Sequence, residues 1–76
     1  MPAAVQEWAT VEDAARFLLG VDGFPRPSDD DIELVCIAPN GTYREAAKKA
    51  HPDAGGSNEL MAKVNRAKDF IDGAAP

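Results

Sequence analysis

Tyr43-Arg44-Glu45-Ala46-Ala47-Lys48-Lys49-Ala50-His51-Pro52-Asp53-Ala54-Gly55-Gly56-Ser57 is the stretch that decides how this chain folds. Tyr43, Ala46, Ala47 and Ala50 recur at i, i+3, i+4 and i+7, the spacing of one helix face, and Pro52 stops the run because proline lacks the amide that a helix interior needs. Asp53 to Gly56 then reads as a loop, and Ser57 can cap a second helix. The inner positions of that helix, Leu60, Val64, Ala67 and Ile71, fall within a narrow arc flanked by Met61 and Lys68, and Gly73 is the expected stop. Two helices over Tyr43 to Ala50 and Asn58 to Asp72, joined by a short loop, predict an antiparallel hairpin. Its alanine face would let the two backbones approach closely.

Working outward, Thr10-Val11-Glu12-Asp13 has the form of a helix start, and Val11, Ala14, Ala15 and Leu18 make a second apolar stripe. A first helix is predicted from about Val11 to Leu19, broken by Gly20, Gly23, Pro25 and Pro27. Ser28 followed by Asp29, Asp30 and Asp31 is a further helix start, with carboxylates at the positive end of the dipole. That helix, carrying Ile32, Val35 and Cys36 inward, should stop near Ala38, because Pro39-Asn40-Gly41 has turn chemistry. Thr42 to Glu45 has the form of a capping box for the helix that follows. With no strand-like alternation, the fold class is all-α, a small bundle around a central helical hairpin. The expected organisation is an N-terminal extension over 1–10 that need not be ordered, one helical domain over 11–73 and a frayed tail over 74–76. Trp8 is expected to cover the core, the sharper option being an exposed indole offered to a partner.

The 76 residues are enough for one core and leave little room for a deep catalytic cleft. A net charge of -5 disfavours nucleic acid and anionic membrane as partners of the whole molecule. The charge is uneven: residues 1–41 carry a net -6 and residues 42–76 a net +1. Cys36 is the lone cysteine and His51 the lone histidine, too few ligands for a zinc site, and neither a metal nor a cofactor is expected. No apolar run approaches the roughly 20 residues of a membrane span. A cytoplasmic monomer is the expectation.

Arg44, Lys48 and His51 are separated by four and then three residues, so they share one helix face, widened by Lys49, with Glu45 able to pair with Lys49. The plain reading of that face is a solvated helix surface whose terminal histidine favours the dipole. The quoted stretch also resembles the second helix and signature loop of J-domains, the family named for DnaJ. Met61, Val64, Asn65, Ala67 and Ile71 fall where that family's third helix has its core positions and its Asn-x-Ala, and Phe17-Leu18-Leu19-Gly20-Val21 looks like the end of its first helix. The resemblance covers roughly Val11 to Asp72.

It implies a non-catalytic co-chaperone that binds the ATPase domain of a DnaK-type heat-shock chaperone and stimulates ATP hydrolysis. His51, Pro52 and Asp53 would be the stimulating triplet, and Tyr43, Arg44, Lys48 and Lys49 the docking residues. Two departures stand out. The family's second helix usually runs unbroken into the triplet, whereas Pro39-Asn40-Gly41 interrupts this one, and Ala54 stands where a basic residue is common. These departures keep open an alternative, a J-like interaction or assembly module whose chaperone contact is lost or redirected. A small acidic DNA mimic, a third class, rests on net charge alone.

Overall fold

The computed structural model describes residues 7–74, so of the expected N-terminal extension residues 1–6, and of the tail residues 75 and 76, lie outside the described residues. Four α-helices and one short 3-10 turn follow in order: α1 Val11–Asp22, α2 Asp29–Ile37, α3 Pro39–Ala50, the turn Pro52–Ala54, and α4 Asn58–Ala74. No strand occurs among the described residues, and they form a small all-α bundle.

Three of the four helix starts follow from a capping side chain. Thr10 Oγ1 accepts the Asp13 amide at 3.2 Å. Ser28 and Asp31 make a full reciprocal capping box, each side chain accepting the other's amide at 3.2 Å. Ser57 Oγ accepts the Leu60 amide at 3.0 Å. α1 runs three residues beyond the expected Leu19. Gly20 costs about 1 kcal/mol relative to alanine but keeps helical geometry, and the helix ends only where Gly23 takes a φ of 110°. There the Gly23 amide donates to the Gly20 carbonyl and the Phe24 amide to that of Leu19, a Schellman closure.

The break between α2 and α3 also differs from the expectation. Pro39, Asn40 and Gly41 form the first turn of α3 rather than a loop, and the interruption is the single residue Ala38, at φ -137° and ψ 76°. A proline at the first helical position sacrifices an amide that has no helical partner there, while its ring drives the preceding residue out of the α region. Thr42 is therefore inside α3 and caps nothing. Gly73 likewise does not end α4, since it sits in the last turn without positive φ.

α3 and α4 are antiparallel, because the Ser57 amide donates to the Ala50 carbonyl at 3.1 Å while Tyr43, seven residues earlier, reaches Asn65. Ala46 and Ala50 on α3 and Val64, Ala67 and Ile71 on α4 are buried. α1 lies across both, contributing Ala14, Ala15, Leu18 and Leu19, and α2 adds Ile32 and Val35. Leu60, Met61, Tyr43 and Ala47 are half-buried at the edge of this core. Trp8 is buried, its ring 5.5 Å from that of Phe17 and 6.3 Å from that of Phe70. An ion pair joins Glu7, the residue before it, to Arg66 on α4, and that hydrogen bond pulls the Glu7 carboxyl below its usual range. Cys36 is half-buried on α2, and its desolvation, with Glu12 and Glu33 nearby, raises the thiol pKa, which suits a packing role and not a nucleophile.

The hairpin turn depends on Gly56. A Cβ there would overlap the Ala50 carbonyl group and lie 2.8 Å from the Ala50 Cα, a clash with backbone that no side-chain rotation can relieve. Two outcomes follow from this packing. Val64→Asp should leave the chain unfolded by circular dichroism, since an unpaired buried charge costs several kcal/mol, on the order of the stability of a domain this small. Gly56→Ala should lower the melting temperature or unfold the chain, whereas Gly41→Ala, where an added Cβ meets nothing within 4 Å, should leave it unchanged or raised.

Candidate functional site

The end of α3 and the turn after it bring together the residues that the sequence singled out. His51 caps α3, its amide donating to the Ala47 carbonyl at 3.1 Å and its backbone leaving the helix at φ -62° and ψ 139°. Pro52 enforces that exit. The chain then folds back in a 3-10 turn, with the amides of Ala54 and Gly56 donating to the His51 carbonyl at 2.9 and 3.0 Å. One carbonyl thus anchors both limbs of the loop.

The imidazole takes part in its own turn. His51 Nδ1 accepts the Asp53 amide at 3.1 Å, so in the neutral ring the proton sits on Nε2. The Asp53 carboxylate lies 3.8 Å from Nδ1 and points outward, its side chain 94% exposed, while that of His51 is 57% exposed. The loop is compact in its backbone and open in its side chains.

Beside it lies a shallow open groove of about 530 Å³, lined by Arg44, Ala47, Lys48, His51, Asp53, Ala54 and Met61. The sequence grouping of Arg44, Lys48 and His51 on one face is what the structure has. Its floor comes from Ala47, Ala54 and Met61, which the helix periodicity had assigned to core edges and loop. Met61 reaches the groove because the antiparallel register sets it across from Ala47, a pairing that no local pattern on either helix reveals. Ala54 makes that end of the groove apolar.

The cations divide. Arg44 and Lys48 are exposed on the groove rim, Lys48 meeting Glu45 at 3.5 Å, a solvent-exposed pair that holds it only weakly. The expected pairing of Glu45 with Lys49 is not formed. Lys49 turns the other way, donating to the Asp22 carbonyl and lying 3.3 Å from its carboxylate. α1 has no basic residue in its own last turn, so Lys49 supplies from α3 the cation that caps the Asp22 carbonyl. Tyr43 sits away from the groove. Its hydroxyl donates to Asn65 Oδ1 at 2.6 Å and the Lys68 ammonium lies 5.3 Å from its ring centre. The Lys68 pKa is raised above its usual value, chiefly by its hydrogen bond to Asp72. No group of three or more metal-ligating side chains occurs among the described residues, and none of their helices is long and apolar enough to cross a membrane.

No family model matches the chain, and no solved structure matches it. A curated relative does. The chain is 43% identical, over 49 residues or 64% of its length, to a tetratricopeptide repeat and J domain-containing co-chaperone from Cryptococcus neoformans var. grubii. It spans 8% of the length of that relative. Sequence similarity and helical architecture together describe a J-domain-like chain.

Proposed function

We propose that this chain is a co-chaperone that binds the ATPase domain of a DnaK-type heat-shock chaperone in the cytoplasm and stimulates its ATP hydrolysis, without catalytic activity of its own. The observation that carries the reading is the outward presentation of His51 and Asp53, on a turn held by backbone hydrogen bonds, next to a groove with a cationic rim and an apolar floor. A fixed turn with exposed side chains is suited to contact, because little further ordering is needed on binding. The similarity to a J domain-containing co-chaperone supports the same reading.

The roles divide along the geometry. Arg44 and Lys48 steer and hold an acidic surface of the chaperone, His51 and Asp53 with Pro52 transmit the stimulus, and Lys49 and Tyr43 keep the docking helix in place through Asp22 and Asn65. A second reading, a J-like assembly module with redirected contact, is favoured by Ala54 and by the break at Ala38.

A titration of steady-state ATP hydrolysis by the host chaperone at two ionic strengths separates the two. On the co-chaperone reading, wild type stimulates hydrolysis, and His51→Gln or Asp53→Asn abolishes the stimulation while the helical spectrum is kept. Arg44→Ala with Lys48→Ala should raise the half-maximal concentration several-fold and leave the plateau near wild type. That difference should shrink in high salt, as the charges are screened over a Debye length of about 8–10 Å. Stimulation equal to wild type by His51→Gln, or none by wild type, would leave the redirected module as the better account. Lys49→Met is expected to lower the melting temperature by a few degrees without changing the salt dependence of stimulation.

A further inference from the structure

α2 is apolar on two sides, and only one of them is used. Ile32 and Val35 are buried against α1, while Leu34 and Ile37, one turn apart on the opposite side, are 63% and 73% exposed. Helical spacing sets Asp30 on the same outer face as Leu34 and Ile37, and Glu33 on the flank of that face toward α1, where it lines a groove with Glu12 and Arg16. Both carboxylates are exposed, and neither pairs with a cation among the described residues. No basic residue lies anywhere on α2. Aspartates at the start of a helix are explained by its dipole, but two bare aliphatic side chains beside Glu33, at the far end of a nine-residue helix, are not.

We infer that this outer face of α2 is a docking surface for a short cationic amphipathic helical segment of a partner protein, with aliphatic side chains that cover Leu34 and Ile37 and with Lys or Arg side chains that meet Asp30 and Glu33. Charge selects the partner, because an acidic rim around apolar contacts rewards the opposite sign and repels acidic segments. Size selects it too. Two aliphatic side chains cannot supply the roughly 800 Å² per partner that a stable dimer buries, so a single helix laid along α2 fits the face better than a second copy of this chain does.

The surface is separate from the groove at His51. Ile37 adjoins the start of α3 and His51 its end, and twelve helical residues span about 18 Å. Both faces can therefore be occupied at once. The inference does not rest on the chaperone reading, and it gives the molecule a second contact through which a basic segment could be held while the triplet engages elsewhere.

The test is a titration of the full chain with a synthetic 18-residue Leu/Lys amphipathic helix, followed by amide chemical shifts in NMR. Shifts centred on residues 29–38 are expected, with binding weakened several-fold by added salt. Leu34→Ser with Ile37→Ser, which leaves every charge in place, should weaken it by about tenfold or more. Asp30→Asn with Glu33→Gln should weaken it and remove most of its salt dependence, and His51→Gln should leave it unchanged. The four positions are exposed, so the amide spectra of the variants should retain the wild-type fold. Equal binding by the double serine variant would reduce the effect to adsorption on carboxylates and overturn the inference. So would shifts spread over the other acidic surfaces, or self-association of the chain through Leu34 and Ile37 without peptide.

Discussion

The contact between Gly56 and the backbone of Ala50 is the constraint on which the rest of the molecule depends. Ala50 is fully buried, its carbonyl accepts the Ser57 amide, and Gly56, the residue directly before that amide, has room only for hydrogen. This closure fixes where α4 begins relative to where α3 ends, and so sets the register of the hairpin. With the register set, Ala46 faces the buried side of α4, Tyr43 reaches Asn65 and Met61 comes to lie across from Ala47. The same closure orients His51, because its carbonyl receives the amides of both Ala54 and Gly56 and so ties the helix end to the loop. Packing and presentation of the triplet are therefore one geometric fact.

A hairpin of this length cannot bury its own apolar stripe, and α1 and α2 complete the core from one side. Lys49 shows how the pieces are coupled. It stands two residues before His51 on α3, yet its ammonium serves the carboxyl end of α1, whose last turn has no cation of its own. A cation that sequence spacing counts with the groove rim is thereby committed to holding two helices together. Lys48, its neighbour, has only the weak exposed pair with Glu45 and keeps its charge available. Two adjacent lysines thus have different physical roles because successive residues on a helix point about 100° apart.

Much of the fold was legible in the sequence because its signals are local. Ser28 and Ser57 cap the helices they were expected to cap, the stripe Val64, Ala67 and Ile71 is buried, and Trp8 covers the core. The misreadings have a common cause. Gly20, Gly73 and the Pro39-Asn40-Gly41 run were weighed by residue type, whereas what decides is position within the helix: proline is tolerated at the first position, and glycine ends a helix when it turns to positive φ, as Gly23 does and Gly20 does not. In the candidate site, the shared face of Arg44, Lys48 and His51 was readable from spacing. The groove floor, the tie from Lys49 to Asp22 and the bond from Tyr43 to Asn65 were not, since each joins residues on different helices whose pairing only the closed hairpin defines.

The break at Ala38 has a consequence for how the two exposed surfaces relate. Had α2 and α3 formed one straight helix, Leu34 and Ile37 would continue the line of α3 and move with it as a rod. Instead the residue before Pro39 leaves the α region, and α2 turns back to pack on α1 through Ile32 and Val35. That turn separates a short acidic and apolar face from a basic face that begins at Arg44, within one chain segment of about two dozen residues. The charge asymmetry between the halves of the sequence is in this way converted into two surfaces of opposite sign on one small domain. A partner drawn to one sign would be repelled by the other, so opposite charge is a physical means by which two surfaces this close together could be told apart.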